Sequence, residues 1–403
     1  MGVPENLRER VFEGRIELPR TGVVVEQAAP APIPYVVLDA DGVEIEACTS
    51  FLRDLVLVGS SPLTVKSYAH DLLRWWRLLS LVDVTWDRAG RDEVELLVGW
   101  LRTARNPQRT KKDPNAAPSG SVNLRTGKPS LDTGYAASTI NHALSVLLAF
   151  YEFHMQFGRG PLVNPVPIAS ERRRLLGHRS PIEAQVQHRR APLRQKQPRR
   201  LPRSIPDRLW DELFASMGNH RDRALLAFYV SSGARASELL GMLGEHVDWA
   251  GKRIWVVSKG SRTLMAVPGS PEAFGHLALY FDQFGTPGPK DPVWRTSRGA
   301  SRQLTYWAMR RILQRANEKL GTNWSLHDLR HTAATRMAND PELTLPEVQA
   351  VLRHRHLSTT EQYLQPRIEE LHDKLQEHYA RPRQERRFDA GYAPEDIEAV
   401  FGG

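Results

Sequence analysis

The chain has 403 residues, 41% hydrophobic and 25% charged, with one cysteine and a formal net charge of +9. At about 150 residues per domain this suggests two or three domains, each long enough to bury a core, and the balance excludes a disordered chain, a collagen and a disulfide scaffold. Cys48 alone allows neither an intrachain disulfide nor a thiolate metal cluster, and no run approaches the ~20 apolar residues that span a bilayer, so a cytoplasmic protein without a membrane partner is expected.

Residues 1–47 read as an N-terminal segment with a short β element, in which 36–38 and 43–45 flank a turn at Asp39–Gly42. It carries no chemistry of its own. From 48 to 158 the pattern turns helical. Ser61-Pro62-Leu63-Thr64 opens a segment with Val65, Tyr68, Leu72, Leu73, Trp76 and Leu79 in helical period. A second helix runs through Val94–Leu101, and a third starts near Ser138. Between the last two, residues 105–133 read as a loop that offers Lys111 and Lys112 to phosphate.

Residues 159–204 read as a basic linker. Between Glu171 and Arg203 ten Arg and one Lys stand against two Glu, leaving 44 basic and 44 acidic residues in the rest of the chain. The whole positive excess therefore lies in one stretch. A solvated linker would explain it, but Arg dominates, and Pro181, Pro192, Pro198 and Pro202 keep the chain extended. A strap along nucleic-acid phosphates is the favoured reading. Residues 205–380 form a second, mostly helical domain with one β-hairpin, 255–257 against 263–267, turning at Ser258–Ser261. Helices are predicted at 306–320, 327–337, 345–353 and 358–375, before a tail at 381–403.

Five polar clusters stand out in this domain. In the run from Ser231 to Leu240 an apolar helix ends at Gly233 and another begins at once. Arg235 is thus held at a tight junction, with Glu238 placed to steady it. Lys259 sits at the hairpin tip. Ser325 and Asp328 form a capping box, which puts His327 and Arg330 in a first helical turn that favours anions. His331 follows His327 at zinc-compatible spacing, yet the zincin pattern needs Glu after the first His and Asp328 stands there. The last two clusters meet in 352–363, where Ser358 and Glu361 make a capping signal just before Tyr363, and His354 precedes it. Each residue alone has a bland reading: ion-pair partner, surface charge, helix cap or core tyrosine.

Together, Arg235, Lys259, His327, Arg330, His354 and Tyr363 are the groups that phosphodiester transfer without a metal requires. Two guanidiniums can grip the nonbridging oxygens. Phenolate at pH 7 costs roughly 4 kcal/mol from a pKa of about 10, which nearby positive charge and a histidine base can supply. A Lys or His can protonate the departing oxygen.

The run from Gly233 to Leu240, Ser258-Lys259-Gly260, His327-Asp328-Leu329-Arg330-His331-Thr332, and His354 followed nine residues on by Tyr363 resemble the motifs of the tyrosine recombinase (phage integrase) family. The resemblance is strong over about 205–380 and weaker over 48–158. Where the family usually has Gly before its third-motif His, this chain has Arg353. The resemblance implies a mainly α fold with a small β-hairpin or sheet in the catalytic domain: a two-domain DNA clamp of a helical core-binding domain and a tyrosine-recombinase domain. It implies that Arg235 and Arg330 bind the scissile phosphate and that Lys259 is the general acid. His327 would assist proton transfer, His354 would contact the phosphate and support the nucleophile, and Tyr363 would attack the phosphate. Glu238 and His331 would support these groups. Lys66, Lys111, Lys112, Arg172, Arg173, Arg174, Arg189, Arg190, Arg199 and Arg200 are the expected DNA contacts, and about ten such contacts would cost several decades of affinity between roughly 50 and 200 mM salt. The implied partners are double-stranded DNA carrying specific sites, a homo-tetramer on paired sites, and accessory DNA-bending or excision proteins. No cofactor or metal is implied, and the enzyme would be nucleoid-associated. Competing readings are a type IB topoisomerase, a non-catalytic DNA-binding protein on the same scaffold, and a zinc hydrolase on His327 and His331.

Overall fold

Ser61 starts one of the two longest helices of the N-terminal half because its Oγ accepts the Thr64 N–H at 3.2 Å and Pro62 needs no such partner. The computed structural model describes residues 5–28, 30–109, 118–168, 191–197, 203–258, 263–297, 299–353, 360, 363 and a few positions between 375 and 399. It divides into two units, Met1–Arg200 and Leu201–Gly403.

The first unit contains α1 (Glu5–Phe12), β1 (Val23–Glu26), β2 (Tyr35–Leu38), α2 (Glu46–Leu57), α3 (Pro62–Leu81), α4 (Arg91–Thr103) and α5 (Ala137–Gln156). Its core joins Leu52, Leu72, Trp75, Leu97 and Phe150 to Val11, Ile33 and Val37, so the segment before residue 48 is packed into the same core as the helices. Two polar ties fix it there: Arg8 donates to the buried Glu93 at 2.7 Å, and Trp100 Nε1 donates to the Ile16 carbonyl at 2.9 Å. The turn at Asp39–Gly42 is present, with Asp39 N–H donating to the Val43 carbonyl at 2.8 Å. The expected pairing is reduced to a bridge between Leu38 and Glu44, and the longer ladder of β2 is with β1, antiparallel, with Val23 opposite Leu38. The two strands are joined by a Pro- and Ala-rich stretch that carries no compact turn signal, so the pairing is silent in the sequence.

Residues 191–197 of the linker run back along α5. Asn141 accepts from Gln195 N–H at 2.8 Å and donates to the Gln195 carbonyl at 3.0 Å, while Arg194 donates to Ser145 Oγ at 2.8 Å. Lys111, Lys112, Arg172, Arg173, Arg174, Arg189, Arg190, Arg199 and Arg200 lie outside the described residues.

The second unit contains α6 (Asp207–Ala215), α7 (His220–Ser232), α8 (Ala236–Leu240), β3 (Val247–Asp248), β4 (Arg253–Val257), β5 (Leu264–Pro268), α9 (Pro271–Phe284), α10 (Tyr306–Leu320), α11 (Leu326–Ala338) and α12 (Leu345–Leu352). Leu225, Phe228, Tyr229, Phe274, Leu277 and Trp294 fill its core, and α7 packs against α9 and α11. The sheet runs β3-β4-β5, antiparallel. Ile254 and Val256 turn inward while their neighbours face outward, the alternation of a sheet covered on one face. The expected hairpin is therefore present with a third strand added, β3, whose two residues are too few for a period to show. Lys259, His354 and most of the expected helix at 358–375 and tail at 381–403 fall outside the described residues. No helix among the described residues is long and apolar enough to cross a membrane.

Candidate active site

Three chain junctions of the second unit converge on one site. The first is the end of α7, where Gly233 takes the left-handed conformation (φ 57°, ψ 19°). Glycine is the residue that adopts it without steric cost, and a Cβ there would meet Leu352 Cδ2 at 2.6 Å. The chain then re-enters a helix at once. Glu238 reaches back to the Arg235 backbone N–H at 2.8 Å and takes the Arg235 guanidinium on its other oxygen at 2.7 Å. Glu238 is buried, whereas the Arg235 side chain is 31% exposed and so open to a ligand.

The second junction is the start of α11. Both the N–H and Oγ of Ser325 donate to Asp328 Oδ2 at 2.7 Å, the expected box. Thr332 Oγ1 accepts the Ile205 N–H at 2.9 Å, which fixes the helix against the start of the unit. His327 is exposed in the first turn, and its ring lies edge-on to that of His331, centroids 4.1 Å apart. Arg330 is buried and donates to the Gly233 carbonyl and, at 2.6 Å, to the Leu352 carbonyl. Its charge thus sits at the carbonyl ends of α7 and α12, where the helix dipoles favour a cation.

The third junction is the end of α12. Arg353 occupies a left-handed cap (φ 54°, ψ 44°), a conformation that glycine adopts at less cost. Its guanidinium is almost fully buried and donates to Glu238 Oε2 at 2.8 Å and to the Val351 carbonyl at 2.7 Å. Glu238 therefore holds two arginines. Tyr363 packs against Ala334, Val348 and Leu352, with Oη 2.6 Å from His331 Nδ1.

Three guanidiniums thus surround one carboxylate, an excess of positive charge that an oxyanion would relieve. Burial, together with Arg235 and Arg353, lowers the Arg330 pKa to about 10, with Glu238 working against the shift. Burial raises the Tyr363 phenol above its ordinary value, and Arg330 pulls it back. Such an arrangement can bind a phosphodiester on its guanidiniums and present a phenol to phosphorus. Among the described residues no group of three or more His, Cys, Asp or Glu could hold a metal ion.

Arg235, Glu238, Arg330, His331 and Tyr363 are thus brought together, with His327 against His331. Lys66, in the other unit, places its ammonium 5.0 Å from the Tyr35 ring centroid. Arg353, which the sequence marks only as a replacement for glycine, is the further guanidinium of the site. Its signal was the helix ending on a residue other than glycine, but spacing does not reveal which way such a side chain turns.

Residues 201–370 match the phage integrase family. Among curated relatives, tyrosine recombinase XerC of Pseudomonas entomophila is 31% identical over 170 residues, 41% of this chain and 56% of that protein. Tyrosine recombinase XerD of Pseudomonas aeruginosa is 35% identical over 162 residues, 38% of this chain and 53% of that protein. The chain spans about half the length of these relatives. Among solved structures, the Tn1549 transposon integrase in complex with circular intermediate DNA superposes with a TM-score of 0.53 at 13% identity, covering 82% of this chain and 98% of that one. A lambda integrase dimer bound to a COC′ core site gives 0.52 at 14%, covering 85% and 99%. The mainly helical fold with small sheets is the fold these structures share.

Proposed function

We propose that the chain, whose residues 201–370 match the phage integrase family, is a site-specific DNA recombinase that cuts and rejoins strands through a 3′-phosphotyrosyl ester on Tyr363. The observation that carries this reading is the buried Tyr363 phenol packed against Leu352, whose carbonyl takes Arg330, beside the Glu238 carboxylate that holds Arg235 and Arg353. Arg235 and Arg330 would hold the nonbridging oxygens and offset the charge that grows on phosphorus as the phenol oxygen attacks. For this, Arg330 would exchange backbone carbonyls for phosphate, while Glu238 keeps Arg235 in place. Lys259 would protonate the departing 5′-oxygen, with His327 and His354 beside the phosphate. The energy of the broken ester is kept in the new one, so a 5′-hydroxyl of a second duplex can reverse the step without ATP.

The same reading assigns 48–158 to a core-binding domain, 159–204 to a basic linker along DNA phosphates, 205–380 to catalysis and 381–403 to a tail that reaches a neighbouring protomer. Residues 1–47 would belong with the first of these, since they share its core. Lys66, Lys111, Lys112 and the linker arginines would add phosphate contacts. Four protomers would act on paired sites in nucleoid DNA, with accessory bending or excision proteins, to integrate, excise or transpose a mobile element.

Nicked suicide duplexes tiled from DNA flanking the gene, incubated in EDTA and resolved on a denaturing gel, test this. The wild type should form a covalent adduct on particular tiles and Tyr363→Phe none. An adduct retained by Tyr363→Phe sinks the assignment, and adducts on every tile would point to relaxation chemistry instead.

A further inference from the structure

The family resemblance gives proton transfer to His327, and the structure places a histidine within hydrogen-bond distance of the Tyr363 phenol. That contact is made by His331, one helical turn beyond His327, whose Nδ1 stands 2.6 Å from Tyr363 Oη. We propose that His331 is a catalytic residue, the general base that takes the Tyr363 proton as the phenol attacks the scissile phosphate. The proposal rests on the reading of Tyr363 as the nucleophile and names the partner that activates it.

Geometry comes first for a general base, and hydrogen-bond contact with the proton to be removed is met. The imidazole is also held by a rigid support. It projects from α11, whose start is fixed by Ser325 and Asp328 and whose middle is tied by Thr332 to Ile205 and by Arg330 to two helix-end carbonyls. The edge-on His327 ring restricts it further, at 4.1 Å between centroids. The phenol is equally confined, packed among Ala334, Val348 and Leu352. Two groups fixed this well need little reordering before proton transfer, which is what makes an intramolecular base efficient.

The chemistry also needs it. Burial makes the Tyr363 phenol harder to ionise than in water, and Arg330 offsets this only in part. A free phenolate is therefore a costly intermediate, and passing the proton directly to a base avoids it. A histidine is suited to the task, since its ordinary pKa of about 6.5 leaves it mostly neutral at physiological pH. In the required tautomer Nε2 carries the hydrogen and the Nδ1 lone pair accepts.

The step balances. As the bond from Oη to phosphorus forms, the Oη proton moves to His331 Nδ1. The bond from phosphorus to the 5′-oxygen breaks, and that oxygen is protonated by the separate acid, Lys259 in the reading above. On rejoining, a 5′-hydroxyl attacks phosphorus, Oη leaves, and the His331 imidazolium returns its proton. No proton is consumed over the cycle and no outside reactant is needed.

The test is single-turnover adduct formation by the full chain on a suicide duplex, with an ordinary scissile phosphate and with a 5′-bridging phosphorothiolate. A thiolate leaves without an acid, so the sulfur substrate bypasses the leaving-group side and isolates the nucleophile. His331→Ala should bind DNA as the wild type does yet slow adduct formation by about 10²- to 10⁴-fold, the usual worth of a general base. The defect should persist on the sulfur substrate, and added imidazole should recover part of the rate. His331→Gln, which keeps a hydrogen-bonding side chain but cannot take up a proton, should be as slow as Ala. Wild-type rates for His331→Gln, or full recovery of His331→Ala on the sulfur substrate, would overturn the proposal. If the wild type itself forms no adduct, what fails is the assignment of Tyr363.

Discussion

Replacing Gly233 with alanine strikes the one position where the ends of α7 and α12 meet, and the structure sets the size of the effect. At φ 57° a side chain costs about 1–2 kcal/mol in backbone strain. The new Cβ would stand 2.6 Å from Leu352 Cδ2 and 3.6 Å from Ala333 Cβ. Leu352 is fully buried and cannot swing into solvent, so the overlap is relieved only by repacking, at a further ~1–3 kcal/mol. Gly233→Ala should therefore lose about 2–5 kcal/mol in urea unfolding of the full chain, a large share of a stability commonly near 5–15 kcal/mol. The Leu352 carbonyl receives Arg330 at 2.6 Å, so shifting it should also slow adduct formation on the suicide duplex. A double-mutant cycle separates the two costs. In a Leu352→Ala background the overlap disappears while the backbone strain stays, so the penalty should fall to about 1–2 kcal/mol. A Gly233→Ala chain within ~0.5 kcal/mol of wild type, or strict additivity with Leu352→Ala, would refute the reasoning.

Two further outcomes follow from charge. Glu238→Gln leaves the buried Arg353 and the half-buried Arg235 with one amide between them and should cost about 3–5 kcal/mol at pH 7 while slowing cleavage. Burial resists ionisation of Glu238, but Arg353 and the bonds from Arg235 outweigh it and its pKa is lowered. Its contribution is thus complete above the ordinary glutamate value of about 4.3 and is lost as pH falls through the depressed one, so the gap to Glu238→Gln in thermal unfolding should close only in acid. A gap that closes well above pH 4.3 contradicts this sign. In the first unit, a 2.6 Å hydrogen bond to Asp71 raises the His142 pKa against the effect of burial. That stabilisation is full below about 6.5 and fades as pH rises through the raised value. The melting-temperature loss in His142→Ala should therefore be larger at pH 6 than at pH 8.5, and a loss that grows with alkali would count against it.

Local signals were legible wherever a side chain acts on its own stretch of backbone. The predicted bounds of Tyr306–Leu320 coincide with α10, because Thr305 caps its start and Gly321 its end. Ser325 with Asp328, and Arg235 with Glu238, could be read for the same reason, each pair lying three residues apart. The helix Pro271–Phe284 carried a readable start in Ser270-Pro271 that was passed over. What spacing could not show are the meetings of residues far apart in sequence. Val23 finds Leu38 across a loop without a turn signal, Arg353 turns back to a glutamate 115 residues earlier, and the phenol of Tyr363 chooses the second of two histidines on α11. Motif order points to a candidate site, but only the fold decides which imidazole touches which oxygen.

The packing of the first residues into the helical unit also bears on how the chain reaches its fold. Arg8 and Glu93 are 85 positions apart, and Ile16 and Trp100 are 84. Contacts of such span close late, because the loop entropy is lost before they return anything. On a ribosome adding about 5–20 residues per second, residue 8 waits roughly 5–20 s before residue 93 is even made. During that interval Val11, Ile33 and Val37 have no complete core to enter. The first residues can therefore join this core only after α4 has been made, which leaves their apolar side chains without it during synthesis.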